Sequence, residues 1–220
     1  MLLAMPQFRW TLLLAVWSWF PLNGFAQENA LPQSSVQELR QELAGTIEPT
    51  KKAKLELRLA YSADLDTEAR HAAALDALDT LGPNGNLGLR SLAWSAVCWT
   101  HGRLGRPEAA RIACDHAVEL AQTAADSSRL HTAVTARAAL AFERGDMDAA
   151  MVDFTEASRL AAELDNSHNL ASALNNLGSM ARMKGAFYQA VSYYERALAA
   201  AVLANSDYLE ASTANNLGVV

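Results

Sequence analysis

The chain resembles itself when slid along by 40 residues, and no other feature constrains its fold as tightly. Gly105, Gly145 and Gly185 fall into register. So do Ala110, Ala150 and Ala190, and then Ala117, Ala157 and Ala197. Cys114, Phe154 and Tyr194 share one position, while Cys98, Ala138, Gly178 and Gly218 share another. Ser127, Ser167 and Asp207 coincide after the polar stretch between units. A period of this length means one small structural unit, repeated and stacked so that each copy buries its apolar face on the next.

Composition says what the unit is made of. Alanine dominates, and Gly and Pro are sparse at 11 and 6 among 220 residues. Ala loses no side-chain entropy on entering a helix, so the bias favours helices. In the third unit the pattern predicts a first helix from about Ser167 to Lys184, with Ser167 as its N-cap. Gly185 takes the turn, where positive φ is needed, and a second helix runs from about Phe187 to Leu203. Small residues let the antiparallel pair approach, and the reading places Gly178 opposite Ala190, with Ala197 facing the next unit. Leu174, Leu177 and Tyr194 fill the space around these contacts.

These residues carry a family resemblance. The tetratricopeptide pattern is Trp-x2-Leu-Gly-x2-Tyr followed by Ala-x3-Phe-x2-Ala. Here the first clear unit reads Trp94-x2-Val97-Cys98-x2-His101, then Ala110-x3-Cys114-x2-Ala117. The next reads Val134-x2-Arg137-Ala138-x2-Ala141, then Ala150-x3-Phe154-x2-Ala157. The third reads Leu174-x2-Leu177-Gly178-x2-Ala181, then Ala190-x3-Tyr194-x2-Ala197, and a fourth opens with Ala214-x2-Leu217-Gly218. The chain thus resembles the tetratricopeptide repeat family over roughly residues 51–220, in a long-period form similar to the repeats of kinesin light chains and of bacterial regulators. The resemblance implies an all-α fold, a right-handed α-α superhelix of antiparallel helix pairs. It divides the chain into a leader and N-terminal helix (27–50), a degenerate unit (51–90), units at 91–130, 131–170 and 171–210, and the start of an incomplete unit at 211–220. The degenerate unit carries Arg70 where the others have a small Ala. Before it, Ser35-Val-Gln-Glu38 reads as a capping box that opens a helix ending near Gly45. Leu81 to Gly88 reads as a long turn.

Residues 1–26 read as an address. Arg9 is followed by the 11-residue apolar run Trp10 to Phe20, then Pro21 and a small-residue exit ending Gly24-Phe-Ala26. The expectation is a bacterial signal peptide cleaved before Gln27, with a periplasmic destination. An uncleaved membrane anchor is the alternative, and the run is short of the roughly 20 residues a span needs. Arg9 is the only charged side chain before residue 27, so a formal charge of -6 becomes -7 for the remainder. An acidic surface disfavours nucleic acid as a partner.

The last residue, Val220, falls inside a first helix. The expectation is a fragment of a longer protein, since an unpaired helix leaves its apolar stripe uncovered. Two functions follow from the resemblance. One is a non-catalytic periplasmic scaffold holding a peptide or protein segment in a concave groove. The other is the sensory region of a bacterial signalling protein, of diguanylate cyclase or histidine kinase type, whose membrane helix and output domain lie beyond Val220. Membrane association belongs to the second reading only. No cofactor or metal is expected.

No phosphate-binding loop, zinc-protease motif or nucleophile elbow is present, so a stand-alone enzyme is disfavoured. The thiols Cys98 and Cys114 suit a disulfide in an oxidising compartment. The pairing of Cys98 with Ala110 and of Cys114 with Trp94 offsets them by a turn, which disfavours the bridge and leaves buried free thiols as the expectation. A zinc site from Cys98, His101, Cys114 and His116 is set aside, because Cys114 and His116 diverge on their helix.

The resemblance implies that the first helix of each unit lines the groove. The residues placed there are Trp99 and Arg103, then Thr135 and Phe142, then Asn175, Asn176, Ser179 and Arg182, and finally Asn215 and Asn216. Paired asparagines offer donors and acceptors to an extended backbone, or are simply family consensus. The cations of the family's carboxylate clamp are missing: its positions match Ser95, Trp99, Ala136, Ser172 and Asn176.

Overall fold

The computed structural model describes residues 35–220, so the expected signal peptide lies outside the described residues. Ten helices and no strand occur among the described residues. They are α1 (Val36–Ala44), α2 (Pro49–Ala60), α3 (Thr67–Leu81), α4 (Leu87–Arg103), α5 (Pro107–Thr123), α6 (Ser127–Glu143), α7 (Met147–Glu163), α8 (Ser167–Met183), α9 (Phe187–Leu203) and α10 (Asp207–Leu217). The Ser35 capping box is formed: Glu38 N donates to Ser35 Oγ at 3.2 Å and Ser35 N to Glu38 Oε2 at 2.8 Å. The expected second helix Phe187–Leu203 is found with those bounds.

From α4 to α9 every helix has 17 residues. Each is joined to the next by a short turn at 104–106, 124–126, 144–146, 164–166 or 184–186. All share one geometry, with the middle residue left-handed. Within a unit that residue is glycine: Gly105 at φ +70°, Gly145 at +79° and Gly185 at +75°. Between units it is Ala125 at +51°, Asp165 at +52° or Asn205 at +49°. The next residue's N–H reaches five back, as in Arg106 N to His101 O at 2.9 Å and Asp126 N to Ala121 O at 3.1 Å. This closes each helix with a Schellman-type cap and satisfies carbonyls that would otherwise be orphaned. The helices α6, α7, α8 and α10 are then capped at once by a side chain, while α5 and α9 are not. Asn166 accepts from Asn169 N at 3.0 Å, so the N-cap of α8 is Asn166, and Ser167 is already helical.

Consecutive helices pack against one another, and α4–α5, α6–α7 and α8–α9 are the tightest pairs. Their register differs by one turn from the sequence reading. A Cβ at Gly178 would lie 2.6 Å from the Tyr194 ring, so Gly178 faces Tyr194, while Ala190 packs with Ala181 nearer the turn. The same register brings Ala138 and Phe154 together in the second unit. In the first unit it brings together Cys98 and Cys114, whose Cα atoms are 5.0 Å apart, and they form a disulfide. That distance lies within the span a bridge tolerates. The expectation of free thiols is therefore overturned. It was built on the wrong turn of the partner helix, and the three-residue turn sets the true one. With both sulfurs bonded to each other, the cysteine-containing zinc site is excluded as well.

Small residues meet large ones at this register, or sulfur meets sulfur. Tyr194, Cys114 and Phe154 are 0%, 0% and 3% exposed. Burying a large apolar side chain this completely stabilises by roughly 1.5–3 kcal/mol. The degenerate unit solves the problem differently. Arg70 is buried, and its Nε donates to Ala60 O at 3.1 Å. No described helix is long and apolar enough to cross a membrane.

Candidate functional site

The first helices α4, α6 and α8 and the second helices α5, α7 and α9 differ in composition. Their sequences place eight acids on the second helices against three arginines. On the first helices Glu143 is the sole acid, against five arginines, so charge is sorted between the two faces. Arg137 is spent internally: its Nε and Nη2 each lie 2.8 Å from Asp153 on α7. Arg90 turns to the Pro83 carbonyl at 2.6 Å. Arg103 and Arg182 lie in the last turns of α4 and α8.

The α4 end is aromatic and cationic. Trp99 is half-buried, with the Arg70 guanidinium 4.1 Å above its ring and that of Arg103 at 5.9 Å. A cation over an indole face is attracted by the ring quadrupole. Arg70 thus joins Trp99 and Arg103, which no motif foretold; its only signal was a cation where the other units have Ala. Glu143 is the second residue the motif reading passed over. Burial pushes its carboxyl up to about 8, opposed only in part by Arg103, so at neutral pH it is largely uncharged.

The α8 end is built from hydroxyls and amides. Asn175 is 1% exposed and accepts from Asn216 Nδ2 of α10 at 3.0 Å. It ties neighbouring units together and presents no surface. Ser179 donates to the Asn175 carbonyl at 3.1 Å and accepts from Tyr194 Oη at 3.1 Å. Asn175, Ser179 and Asn216 are therefore one connected group, whereas Asn215 is exposed. Asn176, Thr135 and Phe142 are half-buried, and Phe142 packs against the core of the second unit. Thr135 Oγ1 and Arg182 Nε are buried and have no hydrogen-bond partner.

Where Asn175 meets Asn216 across α8 and α10, the matching residues across α6 and α8 are Thr135 and Asn176. That junction is different: α4 packs directly on α6 and α8 on α10, while α6 and α8 make no comparable contact. Core side chains nevertheless bridge it: Ala138 and Ala141 of α6 share a buried cluster with Leu174, Leu177 and Met180 of α8, and Val134 shares one with Ala173. No group of three or more His, Cys, Asp or Glu among the described residues could hold a metal ion.

Residues 130–201, from α6 to the end of α9, match a family model described as a tetratricopeptide repeat. Among solved structures, a STAND signal-transduction ATPase with a tetratricopeptide repeat sensor from Pyrococcus horikoshii is similar at 13% identity and TM-score 0.70. The match covers 82% of this chain and 28% of that one. BtubC (BKLC) from P. vanneervenii is similar at 20% identity and TM-score 0.63, covering 84% of this chain and 80% of that one. No curated protein matches the chain. At these identities the structural likeness carries the fold, which is the all-α, tetratricopeptide-type superhelix of helix pairs. A repeat of this type points to a protein-interaction scaffold.

Proposed function

We propose that the chain is an exported, non-catalytic scaffold that holds a peptide or protein segment against the face formed by α4, α6 and α8. The carrying observation is which helices touch. First helices contact one another directly at α2–α4, α4–α6 and α8–α10, and no pair of second helices makes contact of that extent. A stack whose helices converge on one side and spread on the other curves toward the converging side. The first helices then line the inside of the curve, where a segment meets several units at once. The disulfide supports the compartment, because such bonds persist in oxidising surroundings such as the bacterial periplasm. The acidic second helices disfavour nucleic acid as the partner.

Two measurements test this. Expressed in a bacterium with its full leader, the chain yields a mature protein beginning at Gln27 with no free thiol. An unprocessed, reduced chain in the cytosol ends the export reading. Hydrogen exchange with segments selected from a peptide display library slows amides of α4, α6 and α8. Protection confined to the second helices would end the scaffold reading.

A second reading has its own support. The repeat region of the STAND ATPase is described as a sensor, and this chain covers 28% of that protein. By analogy the present chain is the sensory part of a larger signalling protein, with an output domain beyond Val220. Reading the coding sequence downstream of Val220 separates the two: a spanning segment followed by an output domain selects the sensor.

A further inference from the structure

The second helices are not alike on their outer side. Among the described residues α5 and α7 each expose one large apolar side chain, Ile112 and Val152, whereas α9 exposes Phe187, Tyr188, Val202 and Leu203. Tyr188 is 97% exposed and Leu203 75%. A missing neighbour does not account for this. The residues one repeat before Tyr188, Val202 and Leu203 are Asp148, Ala162 and Glu163, and two repeats before they are Glu108, Gln122 and Thr123. All six are exposed although a further unit follows them. These positions face solvent in every unit, and only α9 makes all three apolar. Large apolar side chains gathered on an outer face mark a docking surface.

Charge narrows what docks there. Of the second helices, α5 carries three acids against one arginine and α7 four against one, so each would repel a second copy of itself. On α9 Glu195 and Arg196 cancel, and no other charged side chain is present. The pattern is also the same from either end. Tyr188, Ser192, Glu195, Ala199 and Leu203 recur at the spacing of one helix face, and all are exposed. Counted about the midpoint between Glu195 and Arg196, Tyr188 corresponds to Leu203 and Ser192 to Ala199. We infer that α9 is a self-association surface, pairing antiparallel with α9 of a second copy about a two-fold axis near Glu195 and Arg196. Tyr188 of each copy then lies against Val202 and Leu203 of the other. Ser192 and Ala199 are small enough for the helices to approach closely. Each Glu195 carboxylate comes level with the other copy's Arg196, in the isologous arrangement that a two-fold axis requires. The inference is independent of the scaffold reading, because α4, α6 and α8 take no part in it.

Sedimentation velocity of the oxidised chain across a concentration series tests this. A single helix pair is a small interface, so the chain is expected to pass from monomer to dimer with a Kd on the order of 10 μM. Hydrogen exchange should show α9 gaining protection as the dimer forms. Tyr188→Asp with Leu203→Glu installs what the second unit carries at these positions. The variant should therefore keep its fold by circular dichroism and associate at least about tenfold more weakly. Glu195→Arg and Arg196→Glu each leave two like charges on the face, so each variant alone should be monomeric and an equimolar mixture should dimerise again. A native chain that stays monomeric to about 200 μM overturns the inference. So does a dimer indifferent to the Tyr188→Asp and Leu203→Glu changes, because it would use another surface, the open end of the stack among them. Two charge variants that stay monomeric when mixed overturn the antiparallel pairing.

Discussion

The first and third units face the same problem at the same register and solve it by different chemistry. In α4–α5 the closest approach is a covalent bond between Cys98 and Cys114. In α8–α9 it is a glycine opened to admit a tyrosine ring, Gly178 against Tyr194. The second unit stands between them with Ala138 and Phe154. The repeat conserves the space at this point and lets the side chains filling it vary. One solution depends on oxidation and the other on shape, so the two ends of the array should respond to different insults.

Several variants would break that contrast or sharpen it. The largest effect is expected from Tyr194→Ala, which empties the third unit's closest contact and also removes the hydroxyl bonded to Ser179. A loss of about 3–5 kcal/mol is expected by urea denaturation, insensitive to reductant. Next is Cys98→Ala with Cys114→Ala, or reduction of the native bridge. The bond spans a sequence separation of 16, for which loop-closure entropy suggests about 3 kcal/mol. Hydrogen exchange should show α4 and α5 losing protection while α8 and α9 keep theirs; uniform loss would mean the units do not respond separately. Gly178→Ala should cost about 1–3 kcal/mol, because the new methyl would sit 2.6 Å from the Tyr194 ring.

The smallest effect concerns Glu143, which stands where the first unit has Arg103 and the third Met183. Its folded carboxyl titrates near 8 and its unfolded one near 4.5. Between these values the folded state holds a proton that the unfolded state has released, so stability falls as pH rises. His131 acts oppositely and lower down. Burial pushes it to about 4 from 6.5, so its contribution is lost as pH falls through that window. His71, His101 and His168 are lowered by burial too and act in the same sense as His131, so the decline belongs to Glu143 only once unfolded histidines have lost their protons, about a unit above 6.5. Thermal melts from pH 7.5 to 8 should slope downward in the native chain and flatten in Glu143→Gln.

Much of the fold was legible in the sequence. The period, the helix bounds and the glycine turns could be read because each depends on local chemistry. The pairing register could not. Helical periodicity says that Gly178 and Tyr194 both face a partner, but not which turn of one meets which turn of the other. That is set by the turn between them, and an error of one turn there also separated Cys98 from Cys114. The turns between units were hidden for a related reason: Ala125, Asp165 and Asn205 adopt a glycine-like conformation without being glycine. Of the expected lining, Trp99 and Arg103 do lie together. Asn175 looked exposed from its stripe, yet contact with Asn216 of the following unit buries it. Such a contact between units is invisible to a pattern read within one.

The uniform turns have a consequence for how such a chain can change. Because every helix from α4 to α9 has the same length and every turn between them the same left-handed middle residue, the array has a fixed stride. Adding or deleting one residue within a helix rotates everything beyond it by about 100°, carrying apolar stripes out of the core. Gene edits that respect the fold are therefore quantised, a whole cassette of 40 codons gained or lost at a time. Each gain lengthens the array by one more rung without disturbing the rungs already present.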